Sequence, residues 1–440
     1  RTLRLPLKAF VVPLKRIGKG CFLGTNRDTG RQISILPGMR DVGVADFSRL
    51  RKVSEGLQSH LSVNSYESVN TPLLEETELF VRKSGGELTG RLYAFTDPGG
   101  HSVSLRPEFT SSIIRAFIER QEGLDLPLRW QYAGPVFRYG AEGDYRQFTQ
   151  VGAELIGLPD RPADSEVLSI AWGGIVKTGL KDCRLRIGHL GVLRDLLDNF
   201  GLSEAAKLFI IGNIQALKLG ESSTEALRER AKEVGLLHGG ADGGLGPALA
   251  DMSNESAEGF ILGVLKESMP TPMGRRSTDQ IIARILRKVR DADDPGAFDE
   301  ALALSDKLSK LEGAPAKVLE QACGVAMSGG LPTTPFDDLE GLFDDLSGSG
   351  IPEGALVLDL GLARGLSYYT GVIFELMSGP LAGASQGGVS LGGGGRYDDL
   401  VRALGNDVDV PAMGFAYNVD NIVKVLAGAA GAADVVAVKS

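Results

Sequence analysis

Residues 134–157 have the sequence GPVFRYGAEGDYRQFTQVGAELIG, and this stretch predicts the centre of the fold. The segments 129–138 and 145–156 have the pattern of two long β-strands, and the polar loop 139–144 joins them. Consecutive side chains of a strand point to opposite faces, so residues that are two positions apart share a face. The distribution of polar side chains between the two faces therefore carries information about function.

Polar side chains gather on one face of the second strand. This face carries Arg146, Phe148, Gln150, Gly152 and Glu154. In the segment 101–108 the same alternation places together Ser102, Ser104, Arg106 and Glu108. A solvated sheet face would explain either strand alone. Here, however, two neighbouring strands each combine an arginine with a glutamate, and a glycine in one of them leaves space. This combination favours the floor of a ligand site.

The segments on either side of this strand pair predict an α+β protein. The sequence patterns predict helices over 44–62, 74–83, 108–122 and 163–178, and strands over 91–96, 101–106 and 183–189. Residues 191–348 are helical in character, with long stretches at 203–235 and 297–327. Strands return at 355–360, 367–377 and 412–417, with helices over 396–404 and 418–427. This order indicates an α+β domain with an inserted helical module.

We accordingly divide the chain into five parts. They are an N-terminal extension (1–34), the first part of the core (35–190), the helical insertion (191–348), the second part of the core (349–427) and a tail (428–440) that we expect to be poorly ordered. In the extension seven basic residues precede the first acid, Asp28. A transit peptide would also be rich in serine, so an extension or an extra strand pair explains the segment better.

The composition excludes several classes of protein. Of the 440 residues 43% are hydrophobic and 23% are charged, as is typical of globular proteins. The net charge of −9 counts against a dedicated nucleic-acid binder, which usually carries a basic excess. The 3 cysteines and 4 histidines are scattered, and no apolar run is long enough to span a membrane. We therefore expect a cytoplasmic protein without a bound metal.

Two further segments combine glycine, arginine and tyrosine. In ARGLSYYTGVIFEL (363–376), Arg364 stands at the entry to a strand, and the pair Tyr368 and Tyr369 would by itself indicate packing. SLGGGGRYDDL (390–400) invites comparison with a phosphate-binding loop, but it lacks both a Lys-Ser/Thr pair and the GxGxxG pattern. This segment therefore predicts close backbone packing or a turn onto a helix.

These segments together resemble the catalytic core of the class II histidyl-tRNA synthetases and their paralogues, over residues 36–425. The matching motifs are LRPEFT (105–110), GPVFRY…GDYRQFTQVGAELIG (134–157), RGLSYYTGVIFE (364–375), GGRYDDL (394–400) and PAMGFAYNVD (411–420). The resemblance implies an α+β fold in which a class II synthetase-like antiparallel sheet is flanked by helices and carries a helical insertion.

The resemblance also implies a pocket for an amino acid. Its histidine-binding residues would be Glu108, Thr110, Arg138, Gln150, Glu154, Arg364, Tyr368 and Tyr369. Arg364 matches the arginine that is particular to histidine activation, and Arg138 matches the motif-2 arginine; in the family both face the carboxylate and the ATP phosphate. The ammonium and imidazole N–H groups of histidine suit carboxylate and amide acceptors, and such charge-assisted hydrogen bonds contribute roughly 1.5–3 kcal/mol each.

The sequence departs from the family almost entirely on the nucleotide side. The family's glutamate, phosphate-facing arginine, aspartate and ATP-stacking arginine are replaced by Gly140, Asp144, Ser367 and Asn421. An aspartate at position 144 would repel a triphosphate, and the loss of the arginine at position 421 removes the stacking partner of ATP. Residues 426–440, which follow the match, are too few for an anticodon-binding domain.

A histidine pocket without ATP contacts resembles a paralogous family, the regulatory subunits of ATP phosphoribosyltransferase. This resemblance implies a non-catalytic protein without cofactor or metal that binds histidine as an effector and controls the first step of histidine biosynthesis. It implies a short-form catalytic subunit as partner and a homodimer core within a hetero-oligomer, without tRNA or membrane. The alternative is a divergent or truncated histidyl-tRNA synthetase that activates histidine with ATP. A third class is a binding or structural module with unrelated partners.

Overall fold

The computed structural model describes residues 33–82, 88–140, 145–237, 256, 262, 293–364, 368–379 and 388–437, with the backbone alone for 429–437. The chain divides into two compact units, Arg1–Pro37 and Gly38–Ser440, and the account below concerns the second. Within its described ranges the strands are β1 (Glu67–Ser68), β2 (Leu74–Glu76), β3 (Tyr93–Thr96), β4 (Ser102–Leu105), β5 (Leu128–Phe137), β6 (Gln147–Ile156), β7 (Cys183–His189), β8 (Glu312–Gly313), β9 (Leu356–Asp359), β10 (Val372–Ser378), β11 (Ser390–Arg396) and β12 (Ala412–Asn418).

Nine of these described strands form one large sheet. Their order is β1-β5-β6-β12-β11-β10-β7-β9-β8, and β2-β4-β3 form a separate small sheet. All neighbours in the large sheet are antiparallel except β1 with β5 and β7 with β9. The pairing of β6 with β12 joins the two ends of the unit. The antiparallel-dominated α+β fold that the sequence predicts is confirmed.

The central strand pair lies where the sequence predicts it. Strands β5 and β6 pair over ten residues each, from Leu128 opposite Ile156 to Phe137 opposite Gln147. The apolar side chains Val136, Val151 and Leu155 are fully buried along this pair. Residues 141–144 of the connecting loop, which include Asp144, lie outside the described residues.

Helices cover the large sheet and occupy the region between β7 and β9. The main described helices are α1 (Val44–Val63), α2 (Thr77–Val81), α3 (Thr110–Arg120), α4 (Asp160–Lys177), α5 (Leu190–Leu197), α6 (Glu204–Gly212), α7 (Ile214–Leu219), α8 (Thr224–Glu233), α9 (Pro295–Ser309), α10 (Pro315–Ser328), α11 (Asp337–Gly348), α12 (Leu400–Ala403) and α13 (Val419–Ala437). Helix α1 packs on both α4 and α13, and all three helices pack on the sheet. One hydrophobic core runs from Leu155 and Phe374 in the sheet to Phe298 and Leu339 in the helical region.

Short polar side chains set the starts of several helices. Ser203, Ser223 and Asp294 each accept a hydrogen bond from the backbone N–H three residues further on, at the starts of α6, α8 and α9. Such caps satisfy N–H groups that have no partner within the helix. The chain therefore specifies locally where these helices begin.

The structure differs from the predicted elements at several places. The stretch 203–235 is divided into α6, α7 and α8, and Gly220 ends α7 in the left-handed region with a φ of +69°. The stretch 297–327 is interrupted because Glu312 and Gly313 pair with β9. The predicted helix over 74–83 is the strand β2 followed by the short helix α2. The glycine-rich break at 238–246 lies outside the described residues.

The C-terminal part of the unit shows two further differences. Residues 390–396 form strand β11, and the predicted helix over 396–404 begins only at Leu400. The close backbone packing that the sequence predicts is confirmed, since a Cβ on Gly394 would lie 1.9 Å from the carbonyl oxygen of Gly414. The closing helix, predicted to end at 427, continues to Ala437.

A buried ion-pair cluster attaches the helical region to the sheet. Asp359 at the end of β9 is fully buried, and its carboxylate oxygens lie 2.6 Å from Arg186 Nε and 2.7 Å from Lys218 Nζ. Lys218 belongs to α7, so this contact joins an inserted helix to two strands of the sheet. The backbone N–H of Gly361 also donates to Asp359 over 3.0 Å.

We predict that Asp359→Ala lowers the free energy of unfolding by about 1.5–3 kcal/mol, because it removes the buried anion of Arg186 and Lys218 and leaves these partly buried cations with Glu312, which is 39% exposed. Urea denaturation monitored by circular dichroism measures this change. The matched control is Asp345→Ala, whose pair with Arg161 is exposed (side-chain exposures 42% and 45%) and whose loss should cost less than about 1 kcal/mol. Equal losses in the two variants would contradict the prediction.

Candidate functional site

A small polar cavity lies where β5, β6, β11 and β12 meet the start of α3. Its volume is about 140 Å³. Seven of the eight residues that the sequence predicts for a histidine site line it: Glu108, Thr110, Arg138, Gln150, Arg364, Tyr368 and Tyr369. The structure thus brings together residues that lie up to about 260 positions apart in the chain, as a long-range sheet requires.

The eighth predicted residue, Glu154, lies directly beneath the cavity. It is fully buried, and its carboxylate accepts hydrogen bonds from the hydroxyls of Thr110 (2.8 Å), Tyr132 (2.9 Å) and Tyr397. A side chain on Gly414 would occupy the same space, because a Cβ there would lie 1.4 Å from Glu154 Oε2. Glycine at position 414 is therefore a condition for the carboxylate to lie here.

Burial dominates the electrostatics of Glu154. Loss of solvent raises the pKa of Glu154 from 4.5 to about 7, although the three hydroxyls act in the opposite direction. Its charge also acts on the surrounding phenols: together with burial, which is the main cause, it raises the pKa of Tyr132 and Tyr397 well above 10. Both tyrosines therefore remain proton donors to the carboxylate at neutral pH.

Glu108 and Arg138 form the charged end of the cavity. The carboxylate of Glu108 accepts from the backbone N–H of Ser111 at 3.1 and 3.2 Å, at the start of α3, where the helix dipole favours an anion. Burial nevertheless raises the pKa of Glu108, and the contacts with Ser111 and the charge of Arg138 oppose this rise. Arg138 follows β5 and donates from Nε to the carbonyl oxygen of Pro107 over 2.8 Å.

Arg364 enters the cavity from the segment between β9 and β10. Its Nη1 donates to the carbonyl oxygen of Phe374 over 2.9 Å and lies 3.4 Å from Glu375 Oε1. The guanidinium lies against β11, where a Cβ on Gly393 would come within 1.9 Å of Nη1. The glycine-rich strand β11 thus leaves space for this arginine. Residues 365–367, which include Ser367, are not among the described residues.

The remaining lining residues supply hydrogen-bonding groups and aromatic walls. Gln150 is buried, and its Oε1 has no hydrogen-bond partner among the described residues. The rings of Tyr368 and Tyr369 lie 4.9 Å apart, and that of Tyr368 lies 5.7 Å from the ring of Tyr397. A buried acceptor without a partner is unusual, and a ligand with an N–H group would satisfy it.

The sequence argument about two neighbouring polar strands is wrong in part. Strand β4 belongs to the small sheet, so it is no neighbour of β6. Ser104 bonds to Thr77 over 2.9 Å, and Arg106 donates to the carbonyl oxygens of Thr71 and Pro135. Glu108 reaches the cavity because the chain turns into α3 after β4, and not through strand alternation.

The expected role of Gly152 is also different. A Cβ at Gly152 would lie 2.5 Å from both the carbonyl oxygen of Phe415 and the hydroxyl of Tyr132. This glycine therefore leaves space for the protein's own groups, among them the Tyr132 hydroxyl that donates to Glu154, and not for a ligand. On the same face, Arg146 stacks over the ring of Tyr139 at 4.1 Å, whereas Phe148 and Gln150 line the cavity.

Several lining residues were not predicted. Tyr132, Tyr397 and Asn418 line the cavity together with Asn421. Tyr397 belongs to the quoted GGRYDDL motif. Tyr132 lies two positions from Gly134 on β5, so alternation along β5 is a signal from which Tyr132 could have been predicted. Asn421 Nδ2 donates to the carbonyl oxygen of Ser390 over 2.8 Å. The neutral side chain at position 421 therefore lies at the cavity and is bonded to backbone.

Neither a metal centre nor a membrane span is present in the described part of the chain. No group of three or more His, Cys, Asp or Glu side chains there could hold a metal ion. None of its helices is both long enough and apolar enough to cross a membrane. The described cavity is lined by carboxylate, guanidinium, amide and phenol groups.

Comparison with known proteins identifies the family. The family profile described as histidyl-tRNA synthetase matches residues 38–237 and 282–422, on both sides of the middle of the helical region. The chain belongs to the histidyl-tRNA synthetase family. The histidine–tRNA ligase of Pyrococcus horikoshii is 30% identical over 396 residues, which are 90% of this chain and 75% of that protein. The histidine–tRNA ligase of Thermococcus kodakarensis is 31% identical over 382 residues, which are 86% of this chain and 70% of that protein.

Solved structures of the histidyl-tRNA synthetase family share the fold. A histidine–tRNA ligase subunit from Alicyclobacillus acidocaldarius aligns with a TM-score of 0.55 and 27% identity, over 90% of this chain and 98% of that one. A protein from Bacillus halodurans, described as an ATP phosphoribosyltransferase regulatory subunit/histidyl-tRNA synthetase, aligns with a TM-score of 0.62. It is 23% identical over 90% of this chain and 83% of that one, and at this identity the likeness supports the fold.

We predict that Glu154 makes stability depend on pH. Because its pKa is raised from 4.5 to about 7 on folding, the folded chain binds more protons than the unfolded chain between these values. The contribution of Glu154 to the free energy of unfolding is therefore largest below pH 4.5. This contribution decreases as the pH rises from 4.5 through 7, by on the order of 3 kcal/mol. Glu154→Gln, which mimics the protonated form, should lose this decrease.

Urea denaturation at a series of pH values measures this dependence. The control is Glu320→Gln on an exposed face of α10, which should follow the parent chain at every pH. A Glu154→Gln variant whose stability falls between pH 5 and 8 as much as that of the parent would show that Glu154 is ionised throughout this range.

Proposed function

We propose that this chain is a non-catalytic regulatory subunit of ATP phosphoribosyltransferase, which binds histidine as feedback effector and controls the first step of histidine biosynthesis. The observation that carries the proposal is the asymmetry of the cavity. Its amino-acid side has carboxylate, amide and arginine groups, whereas position 421, where the family has its ATP-stacking arginine, is a neutral asparagine bonded to the backbone oxygen of Ser390.

The size of the cavity supports a single small ligand. At about 140 Å³ it is well below the roughly 300–1,000 Å³ of pockets that hold drug-sized molecules. A free amino acid matches this volume better than an amino acid together with a nucleotide. The groups that line the cavity are mostly polar or aromatic, as recognition of a zwitterion with a planar ring requires.

The donors of histidine match the acceptors of the site. Its ammonium and imidazole N–H groups would face Glu108 and the unpartnered Oε1 of Gln150, while Glu154 beneath the cavity holds the lining hydroxyls of Thr110 and Tyr132. Its carboxylate would face Arg138 or Arg364. Each charge-assisted hydrogen bond of this kind contributes roughly 1.5–3 kcal/mol. The adjacent tyrosines Tyr368 and Tyr369, whose ring planes are tilted by 59° from each other, supply the aromatic wall for the imidazole ring.

The described site has few cationic side chains that could bind a triphosphate. Among the described residues that line the cavity, Arg138 and Arg364 are the cationic ones, and each donates to a backbone carbonyl oxygen. In the sequence, Asp144 replaces the phosphate-facing arginine of the family, which exchanges a cation for an anion. Stabilisation of a transferring nucleotidyl group depends on such cations, so this arrangement favours binding of histidine without its activation.

The position of the cavity suits a regulatory role. Its walls come from β5, β6 and α3 on one side and from β11, β12 and α13 on the other, so a ligand contacts elements from both ends of the unit. A coupling free energy of about 1–3 kcal/mol between this site and a partner surface would change activity about 5- to 150-fold. We propose a short-form catalytic subunit as that partner, in a cytoplasmic hetero-oligomer built on a homodimer of this chain.

Histidine activation with ATP is the second candidate function. The curated relatives favour it, since the matched proteins from Pyrococcus horikoshii and Thermococcus kodakarensis are histidine–tRNA ligases. The two functions differ in whether ATP reacts at the site. Pyrophosphate exchange distinguishes them, because an activating enzyme transfers label from pyrophosphate into ATP only when histidine is present.

We predict that the chain binds histidine but not ATP in isothermal titration calorimetry. Glu108→Gln should weaken histidine binding about 10- to 100-fold, because it removes one charge-assisted hydrogen bond. Glu119→Gln is the control, since this glutamate is exposed on α3 and pairs with Arg115 outside the cavity. Absence of histidine binding, or tight binding of ATP, would contradict the proposal.

We also predict no histidine-dependent exchange of pyrophosphate into ATP by the parent chain. Addition of the chain to a short-form ATP phosphoribosyltransferase catalytic subunit should raise its activity, and histidine should then lower it. Glu108→Gln should keep the activation but require about 10- to 100-fold more histidine for inhibition. Exchange above background would favour the second candidate, and an unchanged catalytic subunit would reject the regulatory one.

A further inference from the structure

A second and larger cavity lies on the other side of the sheet from the proposed histidine site. Its volume is about 730 Å³, and it opens between α1, α4 and α13. Neither the proposed histidine binding nor any contact described above uses this cleft, which we call the helix cleft. Its volume falls in the roughly 300–1,000 Å³ range of pockets for organic ligands.

The helix cleft is positively charged. Arg49, Lys52 and Lys177 line it, and no acidic residue is among the described residues that do so. Arg49 pairs with Asp46, an exposed contact of 3.0 Å. For Lys52 and Lys177 no ion-pair partner exists within the described part of the chain. Two cations without an anion over one cleft attract a negatively charged ligand.

His60 adds no charge to this cleft. Burial lowers the pKa of its imidazole, and the charge of Lys177 lowers it further, while the contact with the carbonyl oxygen of Ile170 acts in the opposite direction. Its Nε2 lies 2.9 Å from that oxygen and therefore carries the proton in the neutral ring. Among the described residues that line the cleft, Arg49, Lys52 and Lys177 supply the positive charge.

The inner walls of the helix cleft are apolar. Val53 and Leu57 of α1 face Val423 and Leu426 of α13 across it, and three of these four side chains are only partly buried. When an apolar ligand enters a concave site, it removes the partly exposed apolar walls from contact with water. This burial contributes about 25 cal/mol per Å² of apolar surface to the free energy of binding. The cleft thus combines an apolar interior with cations at its edge.

We propose that the helix cleft binds a small organic anion, in which one carboxylate, phosphate or sulfonate group is attached to an aromatic or aliphatic body. The body lies between α1 and α13, against Val53, Leu57, Val423 and Leu426. The anionic group lies near Lys52 and Lys177. Unlike histidine, this ligand needs no ammonium group. The site that binds it is separate from the small cavity.

The floor of the helix cleft connects it to the small cavity. Gly174 lines the cleft, and a Cβ there would lie 2.1 Å from the hydroxyl of Tyr417. That hydroxyl donates to the carbonyl oxygens of Ile170 and Ala171 in α4. Tyr417 lies on β12 between Ala416 and Asn418, which line the small cavity. Only one strand therefore separates the two sites.

Helix α13 contributes to both sites. Asn421 lines the small cavity, and Val423, two residues later, lines the helix cleft. A ligand that displaced α13 in one site would move a residue that lines the other, so we infer that the two ligands affect each other's affinity. This coupling rests on the proposed binding of histidine, whereas the binding of an anion in the cleft does not.

A fluorescent probe tests the cleft directly in the full chain. Anilinonaphthalene sulfonate is an aryl anion of the proposed class, and N-phenylnaphthylamine is its uncharged counterpart. We expect one saturable site for the anion, with an affinity at least about tenfold above that of the uncharged probe, since about 1.4 kcal/mol of charge interaction gives this ratio. Equal affinities of the two probes would overturn the proposal.

Substitution of Gly56 locates the bound probe. Gly56 lines the cleft on α1, and a Cβ there meets nothing within 4 Å, so Gly56→Trp should fill the cleft without disturbing the fold. Gly324→Trp on α10 is the matched control, since that glycine is also helical and has nothing within 4 Å. We expect the first variant to lose binding of the anion and the second to keep it. Equal binding by both would overturn the proposal.

Reversal of charge separates the anion contact from the apolar contact. The double variant Lys52→Glu with Lys177→Glu should weaken binding of the anionic probe at least about tenfold and leave that of the uncharged probe unchanged. Lys317→Glu, at an exposed position on α10, is the control and should change neither. If the double variant binds the anion as the parent does, the proposed class of ligand is wrong.

The coupling has a separate readout. Titration of the anionic probe with and without saturating histidine should give two different affinities in the parent chain. In Glu108→Gln the same total concentration of histidine should produce a smaller change. If the probe binds in the cleft but its affinity is independent of bound histidine, the inferred coupling is wrong; if histidine does not bind at all, the proposed function fails while the cleft site remains.

Discussion

The buried carboxylate of Glu154 is the constraint on which the rest of the site depends. An ionised carboxylate without water costs several kcal/mol, and the three hydroxyls of Thr110, Tyr132 and Tyr397 offset part of this cost. These hydroxyls come from α3, β5 and the residue after β11, and the space for the carboxylate comes from Gly414 on β12. One side chain thus fixes the mutual position of elements from both ends of the unit.

This constraint explains why a long helical region lies between the two halves of the site without separating them. Strand β6 must lie next to β12 for Glu154 to fit beside Gly414, so the chain between them is placed at the other edge of the sheet. There Asp359 binds Lys218 of the inserted helix α7 and Arg186 of β7. Helix α13, which follows β12 directly, then contributes to the small cavity and to the helix cleft.

Much of the fold and part of the site could be predicted from local patterns. Alternation along β6 placed Gln150 and Glu154 on one face, and this is correct because strand geometry is set by the backbone alone. The same rule misplaced Arg106, since the register of β4 does not reveal that it pairs within a separate small sheet. Tyr397 was not assigned to the site, because its contact with Glu154 spans 243 residues and leaves no local signal.

The sequence by itself determined the strand pair β5–β6 and the loss of the arginine at position 421, since each depends on residue type and near neighbours. Only the tertiary structure decided what the glycines do. Gly152 and Gly414 leave space for Tyr132, Phe415 and Glu154, and Gly393 leaves space for Arg364. A glycine marks a close approach, but the group that approaches comes from a distant strand, and its identity depends on long-range pairing and packing.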